Sequence, residues 1–366
     1  MSVKFAVMWA SMFDHRLKIV IDRQQLLSNV DAIAQTVPHS QLMPIVKANA
    51  YGHGANVICQ ALDSFGFPYF GFAAMSECHA IHALSLKTPL FLLSEPGFTE
   101  CPIEYTYTVY SQAFAAHLNQ LGEKLGCRYQ IHIKVDIGMH RLGVPLKDAI
   151  QFITSISTQY PFLECTGVYA HMPCSEDAQN SVNQVHIKQF NILVYSLPEN
   201  LKPITSLHLF NSGGITHFHS QAHSLVRVGG ELYRDVMEVS SYVMALQFVS
   251  KGDGVGYDFK YRPTEDTIIA VVACGYADGY STNLGGHASV LIAGQRYPVV
   301  GKICMDMFFV DLGLNHQIEI GENVVIIGKM EKEEITSYDL SSWSSLNYRE
   351  ITCGLGNGLR SLRIVR

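Results

Sequence analysis

The sequence contains no C-x-x-C pair, no H-E-x-x-H signature and no apolar run of the roughly 20 residues that a membrane-spanning helix requires. These absences exclude the common zinc frameworks, the zinc-protease class and a helical integral membrane protein. Charge is sparse, at 16% of 366 residues with a formal balance of −6, and no basic patch stands out. Nucleic acid is therefore not an expected partner. Nine cysteines, an odd number, are scattered at Cys59, Cys78, Cys101, Cys127, Cys165, Cys174, Cys274, Cys304 and Cys353. They read as reduced, mostly core thiols of a cytoplasmic protein rather than a disulfide framework. Sixteen histidines make no ligand cluster, so no metal is expected. The apolar run at residues 5–13 is interrupted by Ser11 and followed at once by Asp14, His15 and Arg16, which weighs against a secretory signal.

What is present is a chain that is 48% hydrophobic and long enough for two domains. An amphipathic stretch at residues 23–37 is followed by eight short apolar, β-rich runs. They start near Leu42, Pro68, Pro89, Tyr107, Gln130, Leu163, Ser206 and Leu225. Helical patterns separate most of them, for example at residues 113–125, 147–158 and 181–195. Strands apolar on both faces are buried parallel strands. Eight β/α repeats predict an α/β fold, a (β/α)8 TIM-type barrel over residues 16–245. A doubly wound sheet is the competing fold, but no G-x-G-x-x-G turn follows the first strand. Beyond Ala245 the texture changes to short alternating strands with Gly-rich turns, including a hairpin turn at residues 293–296. Residues 246–366 are expected to form a mostly β domain.

Barrel enzymes build their active sites at the C-terminal ends of the strands. Strand one ends at Lys47, strand five at Asp136 with Arg141 just beyond, and strand six at His171. Strand seven ends at Asn211 and Ser212, and strand eight carries Arg227, Gly229 and Gly230. A lysine on a buried strand is costly unless it is paired or used covalently, because desolvation disfavours its charge. Schiff-base chemistry is one such use, and pairing with a carboxylate at the barrel mouth is the other; Lys47 alone does not decide between them. Ser212, Gly229 and Gly230 lie where barrels often bind phosphate, although ordinary turns also need such glycines. The conjunction of strand-end lysine and phosphate loop points to a phosphorylated aldehyde cofactor, and pyridoxal 5'-phosphate fits.

Four stretches then carry a specific resemblance. They are residues 46–54 (VKANAYGHG), 134–143 (KVDIGMHRLG), 275–280 (GYADGY) and 301–307 (GKICMDM). Each resembles a motif of the pyridoxal-phosphate-dependent alanine racemases, and they occur in the family's order from about Arg16 to the C-terminus. The resemblance implies that Lys47 bonds the cofactor and acts as one of two acid/base catalysts, with Tyr276 as the other. It implies that Tyr51, Ser212 and the backbones of Gly229 and Gly230 hold the phosphate, that Asn211 also belongs to the cofactor-binding set, and that Arg141 contacts the phenolic oxygen and the substrate. Arg227 would face the pyridine nitrogen with His171 in support, and Met305 and Asp306 would line the substrate site. Tyr276, Met305 and Asp306 would serve the partner's barrel in a homodimer with shared sites, and Lys134 would be a candidate for carbamylation. The expected activity is interconversion of L- and D-alanine, supplying D-alanine for peptidoglycan.

The chemistry of these residue types agrees. Two bases on opposite faces of Cα invert it directly, while a tyrosine, with an ordinary pKa of roughly 10, needs cationic neighbours to serve near neutrality. A guanidinium does not give up its proton, so Arg227 would leave the ring nitrogen unprotonated and limit side reactions. Read alone, His171 is a structural histidine, Tyr276 a packing tyrosine and Met305 core. Two departures bear on substrate breadth. Arg234 and Asp235 follow Leu232-Tyr233 where many members have glycine, and Asn357 lies nearest an entrance position where many have tyrosine. The alternatives are a racemase of larger amino acids and a pyridoxal-phosphate decarboxylase, in which an acidic residue would stand in place of Arg227. A non-catalytic carrier would need neither Tyr276 nor the second domain.

Overall fold

A computed structural model describes residues 15–201, 204–358 and 360–366; the apolar stretch 5–13 lies outside the described residues. The chain divides into two units, residues 28–50 with 55–232, and the described residues up to 27 with 51–54 and 233–366.

The first unit contains eight parallel strands: β1 Leu42–Pro44, β2 Phe70–Phe72, β3 Leu90–Leu92, β4 Tyr105–Val109, β5 Tyr129–Asp136, β6 Leu163–Tyr169, β7 Ser206–His208 and β8 Val226–Val228. A continuous ladder runs from β2 to β7, and β8 pairs with β1. Two short contacts close the ring. The Val46 N–H donates to the Gly71 carbonyl at 2.9 Å, and the Leu225 and Arg227 N–H groups donate to Leu207 and Phe210 carbonyls at 3.1 and 3.0 Å. The expected barrel is therefore present, with each strand within a few residues of its expected start. β1 to β4 and β8 are buried throughout, which is why they read as unbroken apolar runs. The helices between them obey local rules. Gln112–Leu125, for instance, starts where the Ser111 hydroxyl accepts from the Phe114 N–H at 3.2 Å and stops at Gly126 with φ 66°.

The second unit is built on antiparallel strands whose pairings run in a closed circuit. Met237–Val249 pairs with Thr267–Val272, then Phe308–Asp311, Gln295–Val300, Ser289–Ile292, Asn323–Met330 and back to Met237–Val249. Val255, Ile269 and Val300 pack together within it. The expected hairpin turn is a two-residue one, Ala293 at φ 46° and Gly294 at φ 76° between Ile292 and Gln295.

The division falls earlier than residue 245. Leu17–Ile21 and all of Met237–Val249 group with the β unit, not with the barrel. Leu17, Ile19 and Ile21 are buried as the strand pairs with Met237–Val249 on one side and Ser361–Val365 on the other. The first half of Met237–Val249 is mostly buried and reads like a barrel strand. A register shift between Val243 and Ala245 and an exposed second half produce the change of texture at 245. Two helices near the C-terminus, Ser337–Ser344 and Tyr348–Gly356, were not foreseen; Thr336 and Asp339 cap the first reciprocally.

Candidate active site

Lys47 stands three residues past β1, half-buried, at the start of an unusual backbone turn. Ala48, Asn49, Ala50 and Tyr51 all have φ between 52° and 56°, four successive left-handed residues without a glycine. Each costs about 1–2 kcal/mol relative to the right-handed form, so the turn needs external support. The Asn49 side-chain oxygen accepts from the Ala55 N–H at 2.8 Å, and the Ala48 N–H donates to Glu77. Glu77 also accepts from Ala73 and Ala74, tying the backbone after Lys47 to the end of β2. Sequence reasoning missed Glu77, because nothing local marks a carboxylate that caps a distant turn. Strain concentrated beside a strand-end lysine is characteristic of functional sites.

Around the same barrel mouth, Lys134 on β5 is buried, with its Nζ 4.6 Å from the centre of the Tyr169 ring. Burial, then the charges of Arg227, Arg141 and Lys47, lower its pKa to about 7, while Asp136 opposes the shift. Asp136 also holds the loop that follows it, and the same hydrogen bonds keep its carboxyl ionised. Its Oδ1 accepts the Gly138 and His140 N–H groups at 2.9 and 3.1 Å, folding the loop that ends at the exposed Arg141.

Arg227 on β8 is buried and surrounded by acceptors that carry no charge. Nη1 donates to His208 Nδ1 at 2.8 Å and the His208 carbonyl at 3.1 Å. Nη2 lies 2.7 and 2.9 Å from the Ala170 and Leu209 carbonyls and 3.2 Å from His171 Nδ1. Burial and the nearby cations, Arg227 foremost, push the His171 pKa far down, so it accepts as a neutral imidazole. His171 is therefore one of the uncharged acceptors around the Arg227 guanidinium. The phosphate-loop candidates also cluster. Ser212 Oγ accepts from the Gly229 N–H at 3.1 Å, and Gly230 begins the turn Gly230–Tyr233. Asn211 is different from expectation in kind. Its Oδ1 accepts from Gly214 N–H and Ser175 O–H at 3.0 and 2.6 Å, and its Nδ2 donates to the Met172 carbonyl, so its side chain is spent on building the loop.

The β unit carries Tyr51, Tyr276, Met305 and Asp306. Tyr51 packs 5.2 Å from the Tyr233 ring, and burial pushes its hydroxyl up to about 12. Tyr276 and Ala277 donate backbone N–H groups to the Cys304 and Met305 carbonyls, both at 3.0 Å, which sets Tyr276 beside Met305. A Cβ on Gly275 would lie 2.3 Å from the Met305 oxygen, so this approach requires glycine. Tyr276 is 46% exposed and Met305 53% exposed, which overturns the readings of each as packing residues. Asp306 lies at the end of a charged chain. The buried Asp278 accepts from Arg360 Nε at 2.9 Å, and Arg360 Nη1 donates to Asp306 at 2.6 Å. The Asp306 carboxylate is therefore committed to Arg360, a residue the sequence did not single out.

A lysine at the end of the first strand, a barrel mouth crowded with cations and a separate β unit define a class of (β/α)8-barrel enzymes. The alanine racemase N-terminal domain family matches residues 21–236, and the alanine racemase C-terminal domain family matches residues 236–363. The chain belongs to the alanine racemase family, whose members are isomerases. It is 30% identical to the alanine racemase of Clostridium novyi, covering 91% of both chains. It is likewise 30% identical to that of Synechocystis, covering 96% of this chain and all of the relative (100%). Among solved structures, the alanine racemase of D-cycloserine-producing Streptomyces lavendulae superposes with a TM-score of 0.87 at 25% identity, over 96% of this chain and 97% of the other. That of Bartonella henselae, which carries covalently bound pyridoxal phosphate, superposes at 0.83 and 26% identity over 95% and 99%.

Proposed function

We propose that this protein interconverts L- and D-alanine with pyridoxal 5'-phosphate joined to Lys47. The observation that carries the reading is the set Lys47, Lys134, Arg141 and Arg227, whose charges act on one another at one barrel mouth while Asp136 is engaged by backbone N–H groups. Such a site calls for an anionic occupant. A phosphorylated cofactor and an amino-acid carboxylate together supply that charge. The cofactor, when bound, makes the substrate's Cα proton acidic by drawing electron density away from Cα.

The chain's own residues do the rest. Ser212, Gly229 and Gly230 offer hydroxyl and backbone donors to the phosphate, Asn211 holds that loop, and Tyr51 joins the phosphate set. Arg227 would face the ring nitrogen with Nε, the guanidinium nitrogen without a hydrogen bond among the described residues, and a guanidinium would keep its proton there. Lys47 Nζ and the Tyr276 hydroxyl remove and return the Cα proton on opposite faces. Met305 and Asp306 line the substrate site, with the Asp306 carboxylate oriented by Arg360. The exposure of Tyr276 and Met305 supports their serving a second subunit's barrel, in a homodimer with shared sites. No helix among the described residues is long and apolar enough to cross a membrane, and the nine cysteines are thiols rather than disulfides. We place the enzyme in the cytoplasm, making D-alanine for peptidoglycan; deletion would then make growth depend on added D-alanine, and unaided growth of a strain with no other racemase would contradict this.

Lys134 adds a further feature of this reading. An amine with a pKa of about 7 is available to carbon dioxide at neutral pH. Its nitrogen bonds the CO2 carbon and releases one proton, and the resulting carbamate would hold the Arg141 guanidinium. Protein equilibrated with 13C-bicarbonate at pH 8 should show a carbamate carbon signal that Lys134→Ala abolishes; a signal that survives the substitution would remove Lys134 from this role.

The two-base assignment is tested in heavy water. Tyr276→Phe should lower racemisation about 10²–10⁴-fold in both directions, retain cofactor, and still exchange the Cα proton of D-alanine through Lys47 without inversion. Racemisation at the wild-type rate, or equal loss of exchange for both enantiomers, would show that Tyr276 is not the second base. Sharing of sites makes a separate prediction. Mixed Lys47→Ala and Tyr276→Phe subunits should recover part of the activity that neither has alone, whereas a fully active monomer in sedimentation would end the shared-site idea.

A further inference from the structure

Behind Arg227 the barrel interior holds two further histidines that the reaction as described above leaves unused. His208 lies on β7 and His132 on β5, and both are completely buried. Arg227 Nη1 is 2.8 Å from His208 Nδ1, and His208 Nε2 is 3.0 Å from His132 Nδ1, so the three side chains form one line across the barrel. The rings are clamped. His208 stacks on Tyr169 with centroids 4.4 Å apart and planes at 8°, and His132 lies 4.8 Å from Phe91 and 5.3 Å from Tyr69. Gly167 on β6 is paired with His132, and a Cβ there would come 2.4 Å from the imidazole. The barrel wall has thus given up a side chain to admit this ring.

The direction of the hydrogen bonds follows from Arg227 alone. A guanidinium has donors and no acceptor, so His208 Nδ1 must carry a lone pair. His208 is then neutral with its proton on Nε2, and that proton is donated to His132 Nδ1. His132 in turn carries its proton on Nε2, a buried nitrogen with no hydrogen-bond partner among the described residues. Burial, followed by the charge of Arg227, keeps both imidazoles neutral; His132 is lowered to about 3.

We propose that His132 is a positioning residue for Arg227, locking His208 in the Nε2-protonated tautomer so that Nδ1 is always presented to the guanidinium as an acceptor. Without an acceptor at position 132, His208 is free to move its proton to Nδ1, where it opposes the Arg227 donor. The arrangement holds Arg227 by lone pairs only, so its positive charge stays uncancelled, which a carboxylate in the same place would not allow. The effect on catalysis rests on the proposed contact between Arg227 and the cofactor ring; the tautomer lock itself does not.

The test is 15N NMR of the holoenzyme labelled at histidine, with the His208 signals assigned by their loss in His208→Gln. His208 should show a bare Nδ1 and a protonated Nε2, constant from pH 6 to 9. His132→Leu should mix the two tautomers, and His132→Asn, whose side-chain oxygen falls near the Nδ1 position, should restore the single one. A protonated Nδ1 on His208 in the wild type, or a His208 unchanged by His132→Leu, overturns the proposal. Kinetics separates the two layers. If Arg227 faces the ring, His132→Leu should raise several-fold the fraction of turnovers lost to transamination, with little change in KM, and His132→Asn should reverse most of it. If the tautomer mixes while the partition stays fixed, the lock stands and the placement of Arg227 at the ring falls.

Discussion

Positive charge gathered at the mouth of the barrel is the constraint on which the rest of the site depends. Lys134 and Arg227 are buried, and Lys47 and Arg141 add charge beside them. Buried charge is costly unless paired and hydrogen-bonded. The barrel meets only the second condition: Arg227 has three carbonyls and two imidazoles, while Lys134 has the face of Tyr169 and a lowered pKa. An occupant bearing phosphate and carboxylate groups, as proposed above, would bring anions to these cations, and its binding would stabilise the fold by the same interactions that fix its position.

Tyr169 connects these features. Its ring lies under Lys134, 5.2 Å from the Arg227 guanidinium and stacked on His208, while its hydroxyl is fixed by Thr108 at 2.7 Å and donates to the Leu93 carbonyl at 3.0 Å. One side chain therefore sets the height of two cations and the plane of the imidazole that holds one of them. The left-handed turn after Lys47 is the complementary device. It turns the chain directly after the lysine at the cost of backbone strain, and Asn49 and Glu77 offset that strain.

Much of this was legible in the sequence, for reasons that can be stated. Barrel strands buried on both faces leave unbroken apolar runs, so all eight were found, and a strand-end lysine inside such a run is conspicuous. Ala293-Gly294 announced its turn because two positive φ angles favour glycine. What was not legible is long-range. Leu17–Ile21 is five residues whose partners lie more than 200 positions away, and Met237–Val249 changes burial halfway along its length. His132 and His208 are polar residues within otherwise apolar strands, and only the folded barrel shows that they form a chain ending on Arg227. Asn211 and Asp306 had the right types for ligand contact, but their side chains are engaged by Gly214, Ser175 and Arg360, and no local pattern reveals such engagement.

The central claim is that the cationic barrel mouth receives a carbonyl-bearing, anionic cofactor on Lys47. Borohydride reduction of the yellow, cofactor-loaded protein followed by peptide mapping tests it directly. The account predicts a single pyridoxyl adduct on the peptide containing Lys47 and none in Lys47→Ala. An adduct on another lysine, or tight cofactor binding with nothing covalently fixed, would contradict it.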